Sequence, residues 1–539
     1  MRLFLLCLVS VLLPGSNLSA ELVRTSTPND AVILALTDLH AIESAALTHG
    51  LDPDMTRYRY IWTQSGDMAD YATIAFTVNA VISRTDINYS LGVDSPIAVT
   101  GAGQLVRLDL GRLCPDTTDR EAVAALWDKM LNPYFMVTQN VHFFDKEKTL
   151  APVFGPHVDA QVATELQAKT GANSPIVAAH SLHISALTTV NGGLYYKFKD
   201  LPQQGADVKN PKKSDFDLLM DRFDVPEEVI KRQRADEWTG QLRSNVTSRP
   251  RRTVFFNRAA PLSVSQGWIS ITYDTIEENR SALSHPLLSL LEFNHDGAEL
   301  IAQQNNGHLI YALYDGTGKL IDEAPPQLVS DRTVPAPHST RLQPGISCIR
   351  CHGGEGEQGW KQFSNDVKDV ISIQGMDIVA DATALNLGLS NEQTMELLAR
   401  LYNKNLVLPL QDARNNQART MAITTHGAMR AETNAPWDYS DVSKSLTNVF
   451  EDYYYDMVSP IAACRDLGYE LTDMKEATEL FNALTQSYVR ILGGHTPTDF
   501  RILMLQRGRS IVRRDWDIVF IDAARLALFN ENYIRGLNQ

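Results

Sequence analysis

The chain has 539 residues, of which 44% are hydrophobic and 21% charged, and its formal net charge is −15. That length accommodates two to four domains with real cores, and the near-average composition excludes fibrous and disordered classes. The acidic balance, with no long Lys/Arg run, argues against a nucleic-acid partner, because phosphate neutralisation needs a cationic face.

The N-terminus reads MRLFLLCLVSVLLPGSNLSA. Arg2 precedes a short apolar run from Leu3 to Leu13, a Pro14-Gly15 break follows, and Ala20 is small enough for cleavage. The run is too short for a bilayer span and reads as a signal peptide over 1–20. The mature chain is therefore expected to be exported, periplasmic or otherwise extracytoplasmic. No later stretch is read as long enough for a membrane span after cleavage.

Thr27-Pro28-Asn29-Asp30 is a helix start, and apolar periodicity carries that helix from Ala31 to Ile42. Alternation in QLVRLDL predicts a half-buried strand over 104–110. Helices are expected over 119–131, stopped by Pro133, and over 160–169 and 176–190, with a loop at 200–216. The stretches 252–273 and 307–314 have strand composition. Five prolines between 322 and 346 mark a boundary. Beyond it, Ser390 and Gln393 form a capping box for a helix ending at Tyr402. Met474, Ala477, Phe481, Leu484, Tyr488 and Ile491 share one helical face, closed by Gly493-Gly494, and a last helical segment carries Trp516, Phe520 and Leu526. The expected architecture is α+β and mainly helical. A mixed domain over 21–325 is followed by a helical domain over 326–539.

With Cys7 lost in the signal peptide, four cysteines remain: Cys114, Cys348, Cys351 and Cys464. The close pair lies in GISCIRCHGG. Two thiols separated by two residues match the two vinyl groups on one porphyrin edge, and an imidazole directly after the second reaches the iron from one face. A structural zinc site wants a second Cys/His pair at defined spacing, and no second CxxC or HxxxH is present. A thiol-redox pair wants a strand before it and a helix after it, whereas this one follows a proline-rich coil. The motif thus predicts one covalent haem c on Cys348 and Cys351, with His352 as the proximal iron ligand. Met376 is a candidate distal ligand. His338, His308, His295, His426 or an open position are the alternatives, while Met395 reads as core. Trp360 and Phe363 are expected to pack beside the haem. Cys114 and Cys464 either form a disulfide or remain two buried thiols.

NGHLIYALYDGTGKLIDEAPPQLVSDRT, followed by LQPGISCIRCHGG, resembles large exported monohaem cytochrome c domain-containing bacterial proteins. TRYRYIWT near 56–63 and QLVRLDL are similar to N-terminal segments of the same group. The resemblance implies haem c on Cys348, Cys351 and His352, a cytochrome c-like C-terminal region and an extracytoplasmic location. It also implies electron transfer with a redox partner protein of the cell envelope. The other function expected from the motif is a haem enzyme or sensor, peroxidase-like or gas-binding, with an open distal site.

Other patterns carry plainer readings. His180 and His183 lie one helical turn apart without a nearby acid and read as helix surface and core. The run Asp452-Tyr453-Tyr454-Tyr455-Asp456 reads as helix packing. Asn88 and Asn245 stand in glycosylation-type triplets, and Arg249, Arg251 and Arg252 with Arg258 read as a solvated turn.

Overall fold

The computed structural model describes residues 28–63, 67–100, 104–130, 132, 158–190, 192–203, 213–223, 238–243, 250–259, 266–274, 295–330, 340–352, 388–402, 407–428, 435–467, 469, 471–491, 500–520 and 523–524. Helices dominate, with two sheets and one short strand pair, so the α+β, mainly helical class holds.

The first sheet is built from β1 (Tyr58–Trp62), β2 (Ile97–Val99), β3 (Leu105–Asp109) and β4 (Ile176–Ala178), in the order β2-β3-β1-β4. β3 pairs antiparallel with both β1 and β2, and β4 joins parallel to β1. The alternation in QLVRLDL therefore marked a true strand. The helix expected over 176–190 is corrected. Its first three residues are β4, and the helix runs only from Ala179 to Leu187. A short run of buried apolar residues carries no period, and the open edge of β1 recruits it into the sheet.

The helix Pro28–Thr48 covers this sheet. Ala31, Val32, Ala35, Leu36 and Leu39 bury against Tyr60, Trp62, Leu105 and Ile176. Asp38 accepts hydrogen bonds from the Tyr60 hydroxyl at 2.9 Å and from Arg107 at 2.9 Å, which locks the helix to β1 and β3 together. The segment Asp30–Thr48, with a mean hydropathy of 1.4, is long and apolar enough to cross a membrane. This corrects the expectation that no stretch after the leader reaches that length. Its acids Asp38 and Glu43 each have a basic partner on a neighbouring element, Arg107 and Lys169. An apolar helix thus lies near the N-terminus, a feature compatible with export, and the expected leader over 1–20 lies outside the described residues.

The second sheet is an antiparallel meander of β5 (Trp238–Arg243), β6 (Pro250–Ala259), β7 (Gln266–Asp274), β8 (Gly297–Gln303) and β9 (Leu309–Asp315). The strand stretch expected over 252–273 is two strands, and that over 307–314 is β9. Within the loop expected over 200–216, Ser214 opens a helix over Asp215–Arg222 by a capping box with Asp217.

The helix Met68–Thr77 leads into a π-turn at Val78–Ile82, which leaves carbonyls without helical donors. Buried side chains supply them. Lys199 and Gln304 both donate to the Ala80 carbonyl. Arg84 donates to the carbonyls of Val81, Ile82 and Ser83 at 2.8, 3.1 and 3.2 Å. Burial, with Arg84 nearby, drives the Lys199 ammonium well below its usual range.

The main core spans Ile61 to Leu446 and includes Trp127, Tyr195, Leu300 and Ile349. It runs across the expected division at 325/326. A second core, with Phe481, Leu484, Leu505, Trp516 and Phe520, gathers the C-terminal helices beside the strand pair β10 (Met457–Val458) and β11 (Ile511–Val512). Cys114 belongs to the main core and Cys464 to the second. Both are free, with their Sγ atoms near the carbonyls of Ile82 and Ala477 at 3.6 and 3.9 Å. Burial pushes the two thiols up to about 11 and about 12. Of the two alternatives, the pair of buried thiols is what the fold contains, because the cysteines are committed to different cores.

Candidate functional site

Cys348, Cys351 and His352 lie on one short helix, Ile346–His352. Its start is fixed by Gly345, whose φ is +84° and where an added Cβ would come within 2.3 Å of the Leu187 carbonyl oxygen. Only glycine permits this turn and this approach. Ser347 accepts a hydrogen bond from the Gln343 N–H at 3.1 Å, and Ser443 donates to the Ile349 carbonyl at 3.2 Å. The second bond ties the short helix to the long one over Tyr439–Tyr455.

Helical geometry places Cys351 about 60° to one side of Cys348 and His352 about 40° to the other, so all three share a face. Cys348 is buried, 6% exposed, and Cys351 is exposed. This order does not suit a thiol-redox pair, whose attacking cysteine must be open to substrate. Cys348 faces a cleft that also meets Glu299, Leu313, Tyr314, Leu328 and Leu342. The Tyr311 ring stacks beside the His352 imidazole, with centroids 6.0 Å apart and planes 21° from parallel. His352 Nε2 lies 3.8 Å from Glu299 Oε1.

Tyrosines fix the wall behind this helix. β9 is the outer strand of the meander, so its free edge needs partners for its N–H groups. The Tyr195 hydroxyl accepts from the Tyr311 N–H at 2.9 Å, and the Tyr196 hydroxyl accepts from the Leu313 N–H at 3.1 Å. Tyr196 also donates to the Ile321 carbonyl at 2.7 Å, and the hydroxyls of Tyr311 and Tyr439 share a hydrogen bond of 2.9 Å. Burial raises the Tyr195, Tyr196 and Tyr311 phenols well above their usual range, so they stay neutral.

The donor set suits covalent haem. Two thiols and an imidazole share one helical face, and the first thiol opens onto a largely apolar cleft. Met376 and His338 lie outside the described residues, as do Trp360 and Phe363. His308 is buried, edge-on to Phe76 and 3.2 Å from the Thr424 hydroxyl. Burial lowers its imidazole to about 3, which marks a neutral core histidine. His426 is exposed, and Met395, at 42% exposure, sits on the surface of its helix rather than in the core.

The remaining motifs settle into structure. His183 is buried with its Nδ1 2.9 Å from the Thr77 hydroxyl, and burial lowers it to about 3 and His180 to about 4. No group of three or more His, Cys, Asp or Glu with metal-site geometry occurs among the described residues. Tyr453 packs on Ile184. Asn88 is turned inward and donates to the Asn306 carbonyl at 2.6 Å, while Asn245 and Arg249 lie outside the described residues. The residues that sequence reasoning missed are Glu299 and the tyrosine wall. The one visible signal was an acid among the apolar residues that open the strand GAELIAQ.

The chain matches no protein-family model, and neither a curated protein nor a solved structure shows significant similarity to it.

Proposed function

We propose that this protein is an exported c-type cytochrome that carries one haem, covalently bound through Cys348 and Cys351 with His352 as the iron ligand, and that it transfers electrons to or from a redox partner in the cell envelope. The observation that carries the reading is the shared helical face of these three residues, with the Tyr311 ring stacked on the His352 imidazole. Haem c supplies one-electron exchange at iron. The chain's part is to hold the imidazole in one orientation and to keep water from the buried thiol side. The haem-binding region, cytochrome c-like in this reading, belongs to the chain from 326 onward. Its inner wall is completed by Tyr195, Tyr196 and the β8–β9 pair from the N-terminal portion.

The test is expression with export and haem-maturation machinery, followed by mass measurement and a reduced-minus-oxidised spectrum. The expected result is one haem per chain that resists acid extraction, with none retained in Cys348→Ser/Cys351→Ser. A wild-type chain with no covalent haem ends the proposal. Rapid carbon monoxide binding by the ferrous form would move the assignment to the haem enzyme or sensor class.

A further inference from the structure

We infer that the turn at 324–329 is a lid over Cys348, and that the chain takes its haem only with this lid raised. The haem reading above supplies what the lid admits; the lid itself rests on packing alone.

By type and spacing the two thiols and the imidazole suit haem, but the space around them, as folded, does not. The cleft at Cys348 has a volume of about 20 Å³, room for about one water and far too little for a porphyrin. Nε2 of His352, the atom that would reach the iron, faces Oε1 of Glu299 at 3.8 Å. Loading therefore requires this face of the helix to be uncovered.

What covers Cys348 is a small, separate piece of structure. Ala324, Pro325, Leu328 and Val329 line the cleft together with Cys348. On the outer side of the turn Pro326 and Gln327 are exposed, whereas Ala324, Leu328 and Val329 are buried beneath it. With Leu313 these three form a cluster distinct from both large cores. A satellite cluster that buries so little apolar surface opens far more readily than a core does. Leu328 is its seat. An added Cβ at Gly297 on β8 would come within 2.5 Å of the Leu328 Cδ2, so this side chain lies directly on the strand.

The turn is also bonded to itself. The Leu328 and Val329 N–H groups donate to the Pro325 carbonyl at 2.9 and 3.2 Å, and Pro325 and Pro326 stiffen the backbone. It can lift as one piece without giving up those bonds. Its root is fastened: the Ile321 N–H donates to the Leu313 carbonyl at 3.0 Å, and the Tyr196 and Thr189 hydroxyls donate to the carbonyls of Ile321 and Asp322. The body is tied down by the Ala324 N–H, which donates to the Leu342 carbonyl at 2.9 Å, a bond that water replaces on opening. The hinge therefore falls at Asp322 and Glu323. Cys348 stays in place, because the Ser443 hydroxyl holds the Ile349 carbonyl of its helix.

The experiment is timed alkylation by iodoacetamide of the full chain, made without haem-maturation machinery and kept reduced, with peptide masses read under native conditions. Exposed Cys351 should react fastest, Cys348 about tenfold or more slowly, and the core thiols Cys114 and Cys464 slowest of all. Leu328→Ala should speed Cys348 about tenfold or more and leave Cys114 unchanged. Cys348 as fast as Cys351 in the wild type, or an unmoved Cys348 rate in Leu328→Ala, overturns the lid. If Leu328→Ala also exposes Cys114 and so fails to fold, amide hydrogen exchange of the wild type decides. Ala324 should then exchange faster than Ile349, whose N–H donates to the Gly345 carbonyl at 2.8 Å, and equal protection of the two is the overturning result. A wild type matured with the full machinery but carrying no covalent haem overturns the haem reading instead, and the alkylation rates still decide the lid.

Discussion

The main core and the C-terminal core bury charged groups of opposite sign. Around the π-turn and the Ile346–His352 helix, buried basic side chains and tyrosine hydroxyls serve backbone groups that secondary structure leaves over. Lys199 and Arg84 reach freed carbonyls, and Tyr195 and Tyr196 serve the edge of β9. In the C-terminal core, Asp466 is well held, accepting from Arg513 at 2.5 Å and from the Trp516 indole at 2.9 Å. Asp517, next to Trp516, is 1% exposed, and among the described residues neither of its carboxyl oxygens has a hydrogen-bond partner. Burial pushes it up to about 7, with Asp466 adding to the rise and Arg513 opposing it. The first region places buried basic groups on freed backbone carbonyls, and the second carries a charge-sensitive seam.

The largest effect that separates the two regions is expected from Trp127→Ala. Trp127 is fully buried in the main core and its indole donates to the Ser174 carbonyl at 2.8 Å. Its loss should cost about 3–5 kcal/mol in urea unfolding. A C-terminal transition that stays in place would support two cores, whereas one joint shift of both would break the comparison.

Asp517→Asn acts on the second core alone. The folded-state pKa of Asp517 is raised above its unfolded value, so the protonated acid contributes stability that is fully present below about pH 4 and is lost as pH rises through about 7. The Asn variant should therefore be more stable than wild type at pH 8, by at most ~4 kcal/mol, and should lose this pH dependence. Urea midpoints at pH 5 and pH 8 measure it, and equal pH slopes in both proteins would remove the seam.

The smallest effect is expected from Ser390→Ala. The Ser390 hydroxyl accepts from the Gln393 N–H at 3.2 Å, and the Gln393 side chain accepts from the Ser390 N–H at 2.8 Å. Removing that cap should cost ~1 kcal/mol and fray the Asn391–Tyr402 helix, read by amide hydrogen exchange.

Local chemistry was legible where it repeats over a few residues. The Ser390 capping box, the strand β3 and the helix ending at Ile491 followed from spacing alone, as did the helix that begins at Pro28. The Cys348-x-x-Cys351-His352 spacing fixed which three side chains share a face, because a helix imposes that relation wherever it lies. Tertiary structure decided the rest. Ile176–Ala178 became a strand only because β1 had an open edge, and Cys114 and Cys464 were separated by the division into two cores. Glu299 meets His352, and Tyr196 meets β9, across sequence separations at which no local period operates. Sequence determined which three side chains share the face of the short helix, because helical geometry is local, and packing of the meander against that helix determined which groups surround them.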